Sequence, residues 1–231
     1  MEVLGIIPAR GGSRAIPRKN LALLSGKPML AYTAAAALAS KTLTRSIVST
    51  DDEEIAQAGR SLGLHVPFLR PREISNDQAP MIEVVSHALE WLRANEDYTP
   101  EVIVLLQPTS PLRKSAHVDE SVQMLINHAA DTVVSVIEVP HQFTPGSLMT
   151  VVDGKLVNAI PTESVLRRQD KPTLYARNGP AVLVVRSETI QSGRLYGDTT
   201  LPYVMSPSDS IDIDSPQDLL LAEFLLTQRQ A

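Results

Sequence analysis

The first 139 residues alternate between short apolar runs and longer amphipathic segments. The apolar runs predict buried strands at Val3–Pro8, Arg45–Ser49, His65–Leu69, Glu101–Gln107 and Asp131–Val139. The segments between them predict helices at Pro28–Ser40, Glu53–Leu62, Ile82–Ala94 and Val118–His128, the second capped by Thr50 or Asp51. Strands that alternate with helices in this way are typical of a parallel sheet covered on both faces.

The pattern breaks between residues 140 and 176. Leu148–Val152 and Lys155–Val157 flank Asp153-Gly154, which predicts a hairpin. Ala181–Arg186 then predicts another buried strand, and Gln217–Thr227 predicts a closing helix. We therefore expect a doubly wound, mostly parallel α/β domain made of residues 1–139 and 177–231. Residues 140–176 form an insertion too small to bury a core alone.

Composition narrows the classes of protein that this chain can represent. Its 231 residues, 43% of them hydrophobic, suffice for one domain with a sizeable core. The absence of cysteine excludes disulfides, cysteine-ligated zinc and a thiol nucleophile, and it fits a reducing compartment. A net charge of −5 argues against broad binding of nucleic acid, and no apolar run reaches the roughly 20 residues that span a bilayer. We expect a cytoplasmic protein with no nucleic-acid or membrane partner.

A basic, glycine-bearing loop follows the first predicted strand. Gly11 and Gly12 allow the backbone to approach a ligand closely. Four cations lie within ten residues of each other: Arg10, Arg14, Arg18 and Lys19. Such a loop at the carboxyl end of a strand suits phosphate groups, although it matches neither a Walker A loop nor G-x-G-x-x-G. The alternative is a solvated basic turn.

An acidic segment, Ser208–Asp214, precedes the closing helix. Read as a strand, it places Asp212 and Asp214 on one face and Ile211 and Ile213 on the other. Two carboxylates beside bound phosphates are a natural Mg²⁺ site. The alternative is an acidic edge strand in which Asp214 or Ser215 caps the helix.

Two further motifs contain groups that suit a polar or acidic ligand. Gln107 stands at the end of the predicted central strand, before Pro108 and Pro111, where it offers a donor and an acceptor. Arg167-Arg-Gln-Asp170 lies in the insertion, and a guanidinium suits a carboxylate. A turn stabiliser and a charged surface loop are the respective alternatives.

Taken together, these blocks resemble the acylneuraminate cytidylyltransferases. The opening motif Ile7-Pro-Ala-Arg-Gly-Gly-Ser-Arg-Ala-Ile-Pro-Arg-Lys-Asn20 is similar to that of the family. Further similar blocks follow in the same order, at residues 48–55, 68–71, 106–113, 167–170, 177–179 and 209–214. The resemblance implies a Rossmann-like nucleotidyltransferase that uses CTP and Mg²⁺ to activate a 2-keto-3-deoxy sugar acid, and it suggests a homodimer formed through the insertion.

The resemblance also implies roles for individual residues. Nucleotide-binding residues would be Ala9, Arg10, Gly11, Ser13, Lys19, Asn20 and Arg70. Gln107, Arg168, Gln169 and Asn178 would bind the sugar, and Asp212 and Asp214 would bind the metal. Catalysis would rest on Lys19 and Arg10, which neutralise charge on the phosphoryl groups, and on Arg168, which holds the sugar carboxylate.

Three departures from the family bear on the acceptor. Pro180 follows Asn178-Gly179 where relatives often carry a tyrosine, Met81 aligns with a serine, and Thr144 aligns with a lysine. They point away from N-acetylneuraminate. Two alternative functions follow: a nucleotidyltransferase of the same fold that uses another acceptor or base, such as a legionaminate-like sugar or GTP, and a non-catalytic sensor of sugar nucleotides.

Overall fold

The structure is a computed structural model that describes residues 1–13, 15–160 and 172–230. Arg14, Arg168 and Gln169, which the sequence singles out, lie outside the described residues.

One mixed sheet forms the centre of the molecule. Its strands are β1 (Val3–Pro8), β4 (Arg45–Ser49), β5 (Val102–Leu105), β6 (Thr132–Glu138), β9 (Tyr175–Arg177), β10 (Leu183–Arg186) and β11 (Thr200–Val204). The strand order is β11-β6-β10-β5-β1-β4, and β9 pairs with β6. Parallel pairs join β1 to β4 and β5, and β11 to β6, whereas β10 runs antiparallel to both of its neighbours. The predicted mostly parallel α/β fold is thus confirmed.

Helices cover both faces of this sheet. They are α1 (Met29–Leu38), α2 (Glu53–Ser61), α3 (Met81–Glu96), α4 (Ser115–Asn127), α5 (Ser187–Gln191) and α6 (Pro216–Gln230). Val102 and Val104 of β5 belong to one buried cluster, and Ile103 and Leu105 belong to another. This alternation is the doubly wound arrangement. None of the described helices is long and apolar enough to cross a membrane.

Two local predictions near β4 are wrong. His65–Leu69 is not a strand, since only His65 and Leu69 form isolated bridges, to Ile47 and Thr50. Pro67, in the middle of this run, has no N–H to donate to a ladder. The N-cap of α2 is Asp52, whose carboxylate accepts from the Ile55 N–H at 3.0 Å, rather than Thr50 or Asp51.

The acidic segment is also not a strand. A 3₁₀ turn at Pro207–Asp209 is followed by extended chain outside the sheet, where the Ile213 N–H donates to the Thr109 carbonyl at 2.8 Å. Ile213 is nevertheless buried in a cluster beneath α6, with Ile211 packed against it. Ser215 caps α6 and exchanges hydrogen bonds with Asp218. The sequence offered helix capping and a pair of carboxylates as alternatives, and the structure contains both, since Asp212 and Asp214 line a cleft.

Two small hairpins complete the fold. β2 (Leu23–Leu24) pairs with β3 (Lys27–Pro28) directly before α1. β7 (Met149–Val152) pairs with β8 (Lys155–Asn158) around Asp153-Gly154, as the sequence predicts. Every residue of β7 and β8 is exposed, so this hairpin contributes nothing to the core.

Candidate active site

A cleft of about 300 Å³ opens at the carboxyl ends of β1 and β5. The loop after β1, the loop after β5, the start of α3 and the acidic segment all contribute to it. The sequence-predicted residues that line it are Arg10, Ser13, Lys19, Asn20, Arg70, Gln107, Asp212 and Asp214. Residues separated by up to two hundred positions therefore meet in the place where α/β sheets bind ligands.

The turn of the basic loop is held by the segment after β4. The Ala9 N–H donates to the Ser49 carbonyl at 3.0 Å, and the Gly11 N–H donates to Asp51 Oδ1 at 3.0 Å. A Cβ atom on Gly11 would lie 2.7 Å from Asp52 Oδ2, whereas one on Gly12 would have nothing within 4 Å. Gly11 is therefore required by packing against Asp52.

The cations of the loop have separate partners. Arg18, in the left-handed region at φ 51°, donates to both oxygens of Asp52, at 3.0 and 3.2 Å, and also pairs with Glu54. Arg18 thus anchors the loop to the start of α2. Arg10 lines the cleft and forms an ion pair with Asp77 on the opposite wall.

Lys19 joins the basic loop to the acidic segment. Its Nζ donates to the Ile213 carbonyl at 2.7 Å and to Asp214 Oδ1 at 3.0 Å. Only 15% of its side chain is exposed. A single ammonium group therefore lies between the loop suited to phosphate and the predicted metal-binding carboxylates.

Asn20 and Arg70 form the buried part of this wall. Asn20 Nδ2 donates to the Arg10 carbonyl at 2.9 Å, which fixes the course of the loop. Arg70 Nε donates to Ser75 Oγ at 3.0 Å, and Nη2 lies 3.9 Å from Asp51 Oδ1. Burial lowers the pKa of Arg70, and the charge of Asp51 opposes that shift.

The two aspartates of the acidic segment differ in environment. Asp212 Oδ1 is buried and has no hydrogen-bond partner among the residues that the structure describes, while Asp214 is exposed. Burial raises the pKa of Asp212; a hydrogen bond from Thr109 lowers it, and the charge of Asp214 raises it further. Among the described residues, no group of three or more His, Cys, Asp or Glu side chains could enclose a metal ion. Within the described part of the chain, a metal at this position would have these two carboxylates available, a number that suits an ion completed by substrate phosphates and water.

The predicted sugar-binding residues are only partly gathered here. Gln107 lines the cleft, with its Nε2 donating to the Gly179 carbonyl at 3.0 Å. Asn178 is buried among protein groups: its Oδ1 accepts from Ser135 Oγ at 2.6 Å, and its Nδ2 donates to Ser210 Oγ at 2.9 Å. Asn178 thus braces the chain just before Asp212, and the structure does not place it on the cleft wall.

Sequence reasoning missed residues that shape this cleft indirectly. Asp51 and Asp52 orient the basic loop, and the signal available for them was two carboxylates directly after a strand that neighbours β1. Arg113 is fully buried and donates to the carbonyls of Gln107 and Ala181, at 3.1 and 2.7 Å, and to Thr33 Oγ1 at 2.6 Å. Burial lowers the pKa of Arg113 to about 9. This residue fixes the loop after β5 and had no sequence signal beyond its place in the 106–113 block.

Comparison with known proteins gives consistent matches over the whole chain. The sequence model of the family described as "Cytidylyltransferase" matches residues 4–220. A CMP-N,N'-diacetyllegionaminic acid synthase from Legionella pneumophila is 33% identical over 232 residues, which cover 100% of this chain and 98% of the relative. An N-acylneuraminate cytidylyltransferase from Streptococcus agalactiae is 35% identical over 95% of this chain. That match covers 52% of the relative, so this chain spans about half its length.

A more distant relative and a solved structure extend the comparison. The pseudaminic acid cytidylyltransferase of Campylobacter jejuni is 27% identical over 97% of this chain and 96% of its own. The structure of CMP:2-keto-3-deoxy-manno-octonic acid synthetase complexed with CTP matches with a TM-score of 0.72, covering 99% of this chain and 100% of that one. At 18% identity this likeness supports the α/β fold alone.

Proposed function

The chain belongs to the cytidylyltransferase family, and from that premise we propose that it transfers CMP from CTP to the anomeric hydroxyl of a 2-keto-3-deoxy sugar acid. One observation carries the proposal. Lys19 of the basic loop contacts the segment that holds Asp212 and Asp214, inside a cleft that Arg10, Arg70 and Gln107 also line.

The triphosphate would lie along the loop after β1. Arg10 and Lys19 there would neutralise charge that develops on the phosphoryl oxygens, and fixed cations of this kind lose little energy to reorganisation. Ala9, Gly11 and Ser13 belong to the same loop, while Asn20 and Arg70 form its buried support. Arg10 is partly exposed in the cleft, and its Nη1 is paired with Asp77, so other N–H groups of the guanidinium can reach a phosphate.

The acidic segment fits a magnesium ion. The buried, unpartnered Asp212 Oδ1 is an oxygen that lacks a ligand or donor, and the exposed Asp214 supplies a second carboxylate. Mg²⁺ is commonly held by one or two carboxylates together with substrate phosphates. When bound there, it would orient the triphosphate and offset its negative charge.

The chemical step is an in-line displacement. The oxygen of the anomeric hydroxyl forms a bond to the α-phosphorus of CTP, and the bond from that phosphorus to the β-phosphate oxygen breaks. Pyrophosphate leaves with the electron pair, and the hydroxyl proton passes to solvent. Positioning and charge neutralisation by Arg10 and Lys19 are the contributions of this chain.

For the sugar acid, fewer of the proposed binding residues lie in the described part of the chain. Gln107 offers its amide oxygen to a hydroxyl or amide of the sugar while its Nε2 holds Gly179. Arg168 and Gln169 remain proposed ligands, Arg168 for the carboxylate. Asn178 acts through Ser210 rather than by direct contact.

A specific observation favours the alternative acceptor. The legionaminic acid relative matches over essentially its entire length, whereas this chain spans about half of the neuraminate relative. We therefore place a legionaminate- or pseudaminate-type acid beside N-acetylneuraminate as acceptor. A non-catalytic sensor is disfavoured, because Lys19, Asp212 and Asp214 are all present.

We further propose a homodimer in the cytoplasm. The insertion exposes a set of apolar side chains: Phe143, Leu148, Met149, Val151, Val152, Leu156, Val157, Ile160 and Tyr175. An exposed apolar patch of this kind suits an interface between two copies. The absence of cysteine is consistent with a reducing compartment.

The test is a pyrophosphate-release panel of the four common nucleoside triphosphates against N-acetylneuraminate, legionaminate, pseudaminate and 2-keto-3-deoxyoctonate. We expect Mg²⁺-dependent turnover with CTP and at least one acid. Turnover with another triphosphate alone would reject CTP as the donor. No turnover with any pair, in a folded protein that binds CTP, would favour the sensor.

A further inference from the structure

Asp209 is a buried carboxylate near the start of the acidic segment, in the 3₁₀ turn that precedes Asp212 and Asp214. Its side chain is 10% exposed and lies 3.0 Å from Lys114 Nζ and 3.5 Å from His117 Nε2, and it also forms an ion pair with Arg229. Ser206 Oγ donates to it at 3.0 Å. Burial alone would raise the pKa of Asp209, but Lys114, Ser206 and Arg229 outweigh it and lower that pKa. Asp209 is therefore a charged anchor that no predicted role includes.

Arg229, in the last turn of α6, joins two segments at this anchor. Besides Asp209, its guanidinium donates to the Ser208 carbonyl at 3.0 Å and to the Leu112 carbonyl at 3.1 Å. Leu112 lies on the loop that carries Gln107 and Thr109. One side chain thus holds together the two segments that supply the cleft with Gln107, Thr109, Asp212 and Asp214.

The acidic segment needs such support because it has no sheet partner. Hydrogen bonds hold the segment between Ser210 and Asp214. The Ile213 N–H donates to the Thr109 carbonyl, and the Asp214 N–H donates to the Asp218 carboxylate. In addition, Asn178 Nδ2 donates to Ser210 Oγ. Beneath it, Ile213 packs with Leu112 and Ala222, so α6 contacts the segment through apolar groups as well.

We propose that Arg229, acting through Asp209, is a positioning residue that fixes the segment carrying Asp212 and Asp214 in the geometry that binds the metal. The inference rests on the proposed function. Arg229 lies beyond residue 220, where the match to the family model ends.

The physical basis is preorganisation of metal ligands by residues behind them. Removing such residues lowers metal affinity or activity by about 10- to 100-fold. The planar guanidinium serves three acceptors at once, which a lysine, as a compact point charge, reproduces only partly.

The experiment compares Arg229→Ala, Arg229→Lys and Asp209→Asn with Arg194→Ala. Arg194 is the matched control because it pairs with Asp198 at 2.8 Å in an exposed turn away from the cleft. The first measurement is hydrogen–deuterium exchange of the amides of residues 210–214. The second is the Mg²⁺ concentration for half-maximal pyrophosphate release with CTP and the sugar acid that the panel identifies.

We expect Arg229→Ala to lose amide protection at residues 210–214 and to raise the half-saturating Mg²⁺ concentration about tenfold, with the KM for the sugar acid unchanged. Arg229→Lys should fall between Ala and wild type. In the double variant Arg229→Ala/Asp209→Asn the combined effect should be smaller than the sum of the two single effects, because both single changes break the Arg229–Asp209 ion pair while each also removes contacts of its own.

Equal Mg²⁺ dependence and equal exchange at residues 210–214 in Arg229→Ala and Arg194→Ala would overturn the inference. A loss of melting temperature without either change would overturn it too, since it would show a merely structural role. If Arg229→Ala fails to fold, Asp209→Asn and Arg229→Lys decide by the same two readouts. If the wild-type protein turns over no substrate pair, the proposed function fails, whereas the exchange data still test whether Arg229 fixes the segment.

Discussion

At the scale of single residues, the cleft depends on one lysine with two contacts. Lys19 reaches both the Ile213 carbonyl and Asp214, and it is largely shielded from solvent. Arg18, its neighbour, faces the other way and holds Asp52. Adjacent cations in one loop thus have different tasks, one in the cleft and one in anchoring the loop.

Lys19→Ala should lower kcat by about 10²- to 10³-fold, because it removes a preorganised cation from the site of developing phosphoryl charge. The measurement is steady-state pyrophosphate release with CTP. Lys27→Ala, which removes an exposed lysine from β3, is the control and should leave kcat unchanged. Near-normal turnover with unchanged CTP affinity in Lys19→Ala would rule out the assigned role.

At the scale of elements, carboxylates tie helices to neighbouring loops. Asp119 of α4 accepts from Ser40 Oγ at 2.6 Å, from Thr42 Oγ1 at 2.9 Å and from the Lys41 and Thr42 N–H groups at 2.9 and 3.1 Å. It thereby holds the connection between α1 and β4. Burial alone would raise the pKa of Asp119, but the hydrogen bonds from Ser40 and Thr42 outweigh it and lower that pKa.

Asp119→Asn should lower the free energy of unfolding at pH 7 by about 1 kcal/mol. Hydrogen bonds to charged groups usually contribute more, about 1.5–3 kcal/mol, but Asp119 is partly exposed to solvent. Because the pKa of Asp119 is lowered in the folded protein, this stabilisation is present above the pKa of an aspartate in the unfolded chain, about 3.9. It is lost as the pH falls through the pKa of Asp119 in the folded protein. The melting temperatures of Asp119→Asn and the wild-type protein, measured from pH 7 to pH 3, should therefore differ by about 2–4 °C at pH 7 and converge as the pH falls.

Asp97→Asn is the matched control for this measurement. Asp97 is an exposed aspartate in the left-handed position at the end of α3, a conformation that asparagine also tolerates. A difference between Asp119→Asn and wild type that stays constant down to pH 3 would contradict the linkage.

At the scale of the whole molecule, the β7–β8 hairpin stands apart from the core. Val151 and Leu156 face each other across it with 67% and 66% of their surface exposed. Two exposed apolar side chains at this position suit the homodimer proposed above, in which a second copy of the chain would cover them.

Replacing both Val151 and Leu156 by Asp should convert a dimer to a monomer at micromolar concentration. Burying each side chain contributes about 1.5–3 kcal/mol, so the pair accounts for at least a hundredfold in dissociation constant. Multi-angle light scattering measures the mass. Leu220→Asp, a substitution of an equally exposed leucine on α6, should remain dimeric. A monomeric wild-type protein at that concentration would contradict the proposal.

Some features of this structure are predictable from the sequence, and others are not. Strand and helix periodicity predicts most of the larger elements within a few residues, but not β11 or α5, because α5 has only five residues and β11 contains Pro202, which is unfavourable within a strand. The apolar run His65–Leu69 predicts a strand, but it contains Pro67, which cannot donate a hydrogen bond to a neighbouring strand, and only isolated bridges form there. The resemblance predicts a sugar contact for Asn178, which stays a prediction; the structure adds that its amide is hydrogen-bonded to Ser135 and Ser210.

By itself, the sequence determined the α/β architecture, the basic loop at the end of β1 and the pairing of Asp212 with Asp214. The architecture follows from local periodicity, whereas the basic loop and the two aspartates are visible as motifs of charged residues and glycines. Only the tertiary structure decided that Lys19 meets Asp214, 195 positions away, that Asp212 Oδ1 is left without a partner, and that Arg229 holds Asp209. Such contacts depend on how distant segments pack against one another, and no spacing along the chain encodes that packing.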